Sequence, residues 1–285
     1  MIKLTNSHMS SKFQGFKDEI ISHFRVKPVV QDLDLIRLSE NNISQLIEVK
    51  KSKKTSYAWK PFTIKNFPNF DYSRLDDFNY KALYALGVEL NVKVWIYHYT
   101  QDYLVDEGIN FYRILDSNLN MSERSTYSLQ YFQSNIKGKP SSKCEKRNSN
   151  KVKDFDNPNI AINQNNLFYV FQTNQVLKNH YYVEYGGIWT MLVSNPVSYK
   201  PLWLYIEVDI EASGIDLDKV ILKDEFFPQI EIYEKTNTPL SIISYNYDMT
   251  KFIVYEYKHG SFNRVEMNSS EIKNYYGSYI QLLNQ

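Results

Sequence analysis

The stretch Asp34–Lys54, DLIRLSENNISQLIEVKKSKK, decides how the N-terminal part of this 285-residue chain folds. Val29 to Leu38 (VVQDLDLIRL) is apolar and β-branched enough for a strand, and Pro28 blocks any helix from running into it. The polar run Ser39 to Asn42 (SENN) suits a tight turn, because Asn tolerates the left-handed backbone region. Ile43 to Lys51 (ISQLIEVKK) predicts a second strand. Alternate residues of a strand share a face, so Glu48 and Lys50 project together while Ile47 and Val49 pack on the other side. Asp32 and Asp34 likewise share a face of the first strand, and periodicity alone does not choose between them. If the turn closes a hairpin, carboxylates and an ammonium converge.

Outward from this segment, Lys12 to Phe24 repeats Phe13, Phe16, Ile20, Ile21 and Phe24 at helical spacing, with Glu19 at the edge of the stripe. Tyr57 to Ile64 suits a short third strand that Pro61 confines to an edge. Ser73 to Asp76 (SRLD) has capping-box spacing, which predicts a helix to Leu90 that buries Phe78, Ala82, Leu83 and Leu86 and stops at Asn91. Val92 to Thr100 then predicts a strand. The order is that of an α/β core. A short strand at Phe111 to Leu115 and a helix at Glu123 to Phe132 are expected next.

Lys137 to Lys153 (KGKPSSKCEKRNSNKVK) is basic and nearly free of apolar residues, as a linker or exposed loop would be. Beyond it strands are expected at Leu167 to Gln172, Leu202 to Glu211, Gln229 to Glu234, Ser241 to Tyr247 and Lys251 to Lys258, with a last helix at Ser270 to Leu283. The expected division is a catalytic domain over 1–135, a linker over 136–157 and a β-rich (α+β) domain over 158–285. No internal repeat is detected.

Hard carboxylate oxygens bind Mg²⁺, which keeps several waters and takes phosphate oxygens as its remaining ligands. Such a cation polarises a phosphate, and a nearby Lys lowers the cost of a hydroxide-like nucleophile. An acidic residue two before a Lys occurs three times, as Glu48/Lys50, Glu256/Lys258 and Glu271/Lys273. Glu271 lies at a helix start, where its side chain and Lys273 diverge. Glu256 follows Asp248 on a good strand, but no strand and helix come after it to complete a core. Only Glu48/Lys50 has an Asp-bearing strand before it and a helix and strand after it. An exposed ion pair is the ordinary fate of such charges, yet LIEVK interrupts a strand otherwise apolar enough for a buried sheet.

On these residues, 12–100 resemble the PD-(D/E)xK nuclease superfamily, the core of many restriction endonucleases and resolvases. The match is an Asp, an apolar strand, a turn, and a hydrophobic strand ending in Glu-x-Lys with Ser52 two residues on. Leu33 stands where the family's Pro would precede the Asp. The resemblance implies a restriction-endonuclease-like mixed sheet flanked by helices. It implies Asp34 and Glu48 as ligands of Mg²⁺, with Mn²⁺ as a substitute, Lys50 beside the attacking water, and Glu19 as the first-helix acid. Restriction members commonly act as dimers, so DNA and a second copy of the chain are the expected partners. The expected activity is a metal-dependent DNA endonuclease of restriction type. A nuclease on RNA or branched DNA, and a non-catalytic nucleic-acid-binding protein of the same fold, are the alternatives.

Composition narrows the field. Thirty-three Lys and Arg balance 32 Asp and Glu, so nucleic-acid contact must come from local patches. Lys51, Lys53, Lys54 and Trp59 form the nearest such patch to the expected site. The single cysteine, Cys144, excludes an internal disulfide framework and fits a reducing compartment. No run approaches the roughly 18 apolar residues of a membrane span, and MIKLTNSHMS lacks a signal-peptide core, so a cytoplasmic protein without membrane contact is expected. The five histidines have no metal-ligand spacing, and no phosphate-cradling glycine loop is present.

Overall fold

The computed structural model describes residues 11–39, 42–52, 74–100, 109–122, 125–127, 180–182, 184–185 and 188–281. The chain is mixed α/β, built on two mixed sheets. It divides into two compact units: unit 1 joins Met1–Leu33 to Val183–Gln285, and unit 2 is Asp34–Tyr182. Among the described residues, no helix is long and apolar enough to cross a membrane.

In unit 2, β2 (Leu35–Ser39) and β3 (Asn42–Ser52) form the antiparallel hairpin that the SENN turn predicts. Helix α2 (Arg74–Leu90) then crosses to β4 (Lys93–Thr100), which lies parallel to β3. Asn91 ends the helix with a φ of 56°, and Val92 N–H closes it on the Gly87 carbonyl at 2.8 Å. β5 (Ile109–Ile114) and β6 (Ser125–Tyr127) extend the sheet antiparallel, and β7 (His180–Tyr182) pairs outside β2. Leu46, Val94, Ile96, Tyr112 and Ile114 are buried in its core.

Unit 1 opens with α1 (Ser11–Ser22) and β1 (Val29–Leu33). β8 (Glu184–Tyr185), β9 (Ile188–Ser194) and β10 (Pro201–Asp209) follow, with β1 and β10 flanking β9 antiparallel. Three helices, α3 (Ile210–Ser213), α4 (Leu222–Glu225) and α5 (Phe227–Thr236), lead to β11 (Leu240–Tyr245), parallel to β10. β12 (Phe252–Lys258), β13 (Ser261–Met267) and α6 (Ser269–Gln281) complete the unit. α1 and α6 cover one sheet face, where Ile20, Ile272, Tyr276 and Ile280 pack on Trp203, Tyr205 and Ile243.

Four expectations change. The run Val29–Leu38 is two strands, since pairing with β9 captures 29–33 while pairing with β3 and β7 captures 35–39. For the same reason the N-terminal segment belongs with the C-terminal strands, and not with a continuous 1–135 domain. Gln229–Glu234 is helical: Pro228 sits in the first turn of α5 and Asn237 closes it in the left-handed conformation, φ 54°. Ser125–Tyr127, expected in a helix, pairs as β6 with β5. The expected strands at 57–64 and 167–172 and the basic stretch 137–153 lie outside the described residues.

Candidate functional site

The last pair of the β2–β3 ladder at its open end is Leu35 with Ile47, so Asp34, one residue before β2, adjoins the Glu48–Val49 segment of β3. Asp34 is the point where the chain leaves the first sheet for the second. Its carboxylate turns onto β3, where Oδ2 accepts the Val49 N–H at 2.6 Å. Both Asp34 and Glu48 are 3% exposed. On β4, Ile96 stands beside Glu48 and is itself buried. Two buried carboxylates thus lie at the open end of the hairpin, that of Asp34 fixed by a backbone hydrogen bond to β3.

The other expected residues are placed as follows. Lys50 lies two residues beyond Glu48 on β3, in register with His98 of β4. Lys51 is the next residue of that strand, while Lys53, Lys54 and Trp59 lie outside the described residues. Glu19 belongs to α1 in unit 1, whereas Asp34 and Glu48 belong to unit 2. Its carboxylate accepts the Lys273 ammonium at 2.7 Å, and that bond holds its pKa below the ordinary carboxylate value. Asp32 also lies in unit 1, on β1 opposite Met191 of β9. The two neighbouring aspartates therefore serve different sheets. Glu256 pairs with its own neighbour Lys258 at 2.6 Å, an exposed contact of the ordinary kind.

The donor set suits Mg²⁺, which one or two carboxylates commonly hold while water and phosphate oxygens complete the shell. Burying two like charges side by side is costly, and a cation between them offsets that cost. Among the described residues no group of three or more His, Cys, Asp and Glu converges, so the pair itself is the candidate.

A second buried charge pair lies in unit 1, outside the expected site. Lys17 of α1 and Glu207 of β10 are 1% and 0% exposed, and their Nζ and Oε1 lie 2.5 Å apart. Burial raises the pKa of Glu207, with Lys17 opposing that shift. Signals for both residues existed: Lys17 sits on the Phe13–Ile20–Phe24 stripe, and Glu207 interrupts the apolar run LWLYIEV. No family model matches the chain, and the comparison with curated proteins finds no match.

Proposed function

We propose that the chain is a Mg²⁺-dependent DNA endonuclease of restriction type whose reacting site is the Asp34–Glu48 pair of unit 2. The observation that carries this reading is the Asp34 carboxylate drawn onto β3 beside Glu48, with both groups buried. Asp34 and Glu48 would hold the cation, which when bound supplies charge to polarise the scissile phosphate and activate water. Asp34 is oriented for that work by the Val49 N–H, which fixes one oxygen and so the plane of the carboxylate. Lys50, two residues beyond Glu48 on β3, would supply the positive charge that favours a hydroxide-like nucleophile. The proposal does not call on Glu19, whose charge is engaged by Lys273. The hairpin, helix and parallel strand of unit 2 support the reading as the order expected over residues 34–100, while the first helix, α1, belongs to unit 1.

The test is cleavage of supercoiled and linear duplex DNA by the purified chain. Nicking or cutting is expected with Mg²⁺ or Mn²⁺ and none in EDTA. Glu48→Ala and Lys50→Ala should each lower the rate by about 100-fold or more. Full activity in both variants refutes the assignment. Junction and RNA substrates in the same assay decide the substrate class, because a metal site alone does not read the sugar. DNA retardation without cutting in any divalent cation selects the non-catalytic reading.

A further inference from the structure

The two sheets repeat one strand order, with the outer strand coming before the hairpin in unit 1 (β1) and last in unit 2 (β7). Each has an antiparallel hairpin (β2–β3, β9–β10), a helical crossover and a strand parallel to the second hairpin strand (β4, β11). Each then adds two antiparallel strands (β5 and β6, β12 and β13) and carries one antiparallel strand outside the hairpin (β7, β1). The register agrees as well. The parallel ladders begin at Gln45 with Lys93 and at Leu204 with Leu240. This aligns Leu46-Ile47-Glu48-Val49-Lys50 with Tyr205-Ile206-Glu207-Val208-Asp209, so the strand glutamate holds one position in both units.

What surrounds that glutamate differs. Asp34 reaches the Glu48–Val49 segment of β3 by accepting the Val49 N–H, whereas Trp189 stands opposite Glu207. Asp209 takes the place of Lys50. Lys17 reaches in from α1 to Oε1 of Glu207, and no hydrogen bond of sound geometry reaches the buried Oε2 among the described residues. The Tyr205 hydroxyl, which lies close to Glu207, also pairs with that of Tyr276 at 3.0 Å. Asp32, on the sheet face that β1 shares with Met191 and Tyr205, adds a second negative charge within electrostatic reach of Glu207.

We infer that unit 1 is a second copy of the unit-2 core in which the Lys17 ammonium occupies, at Glu207, the place of a divalent cation. Unit 1 then holds no metal and makes no cut, and each chain carries one cation and cleaves one strand. The inference rests on the proposed function for the cation in unit 2. Its own content is that removing Lys17 opens a cation site at the buried Glu207 carboxylate.

The decisive experiment uses the full chain with Asp34→Asn and Glu48→Gln, which removes the unit-2 pair. With Lys17 intact this chain should bind no Mn²⁺ by calorimetry, and its Tm should not respond to the ion. Adding Lys17→Ala should lower Tm in EDTA by several degrees, since it strands a buried carboxylate, and millimolar Mn²⁺ should restore it. Lys17→Met, which fills the space with an apolar chain, should show no such recovery. Should the alanine chain prove insoluble, refolding from urea gives the same reading: more soluble chain with Mn²⁺ than with EDTA supports the inference, and equal or no recovery overturns it. An unresponsive Tm in the alanine chain, or Mn²⁺ bound while Lys17 is intact and lost on Glu207→Gln, also overturns it. Failure of the underlying function reads differently: the unaltered chain would bind no Mn²⁺, whatever the Lys17 variants do.

Discussion

Asp34 has two separable duties, to accept a backbone N–H and to carry charge. Val49, whose N–H it takes, is itself buried, so loss of the acceptor leaves a donor unpaired at a cost of about 1–3 kcal/mol. Asn keeps a carbonyl oxygen in the same place. Asp34→Asn should therefore unfold in urea close to the unaltered chain yet lose cleavage, whereas Asp34→Ala should lose both activity and that stability. Equal stability in the two variants would show that the hydrogen bond contributes nothing. The sequence marks Asp32 and Asp34 alike, since both lie on one face of one extended run. Only the pairing separates them, sending Asp32 to β9 and bringing Asp34 to β3.

At the scale of elements, α2 fits closely on the strand it leads to. A Cβ built on Gly87 would lie 2.4 Å from Val94 Cγ2 and 3.2 Å from the Val92 carbonyl oxygen. Val94 is buried and β-branched, so its methyl has no other rotamer at low cost. Gly87→Ala gains about 1 kcal/mol of helix propensity, but overpacking of about 1–3 kcal/mol outweighs it. A net loss of stability is expected by thermal unfolding, and Val94→Ala in the same chain should remove the clash and much of the difference. The boundaries of α1, α2, β3, β4 and α6 are close to those the sequence predicts, because stripes and stop signals act over a few residues. α5 is the instructive exception. Ile230 and Ile232 alternate with Gln229, Glu231 and Tyr233 as in a strand, but Pro228 and Asn237 bound a helix that buries Gln229, whose amide donates to Thr190 at 2.9 Å. A period of two in six residues is too short a sample to outvote the signals at the ends.

For the whole molecule, the chain enters unit 2 at Asp34 and returns to unit 1 after Tyr182. Val29–Leu33 should accordingly share the stability of strands far away in sequence rather than that of the adjoining β2. Val254→Ala, in the buried core of unit 1, should speed hydrogen exchange in β1, β9 and β10 together and leave β2 and β3 less affected. Exchange in β1 that follows β2 instead would contradict this division. The sequence by itself determined the helix–hairpin–helix–strand order around Asp34–Lys54, the acid–base triplet within it, and the mixed α/β class, since each depends on local periodicity and turn chemistry. Tertiary structure alone decided that β1 belongs to β9, that one strand order occurs twice, and that Lys17 meets Glu207. Those outcomes depend on which distant apolar faces bury one another, and local patterning carries no information about the partner.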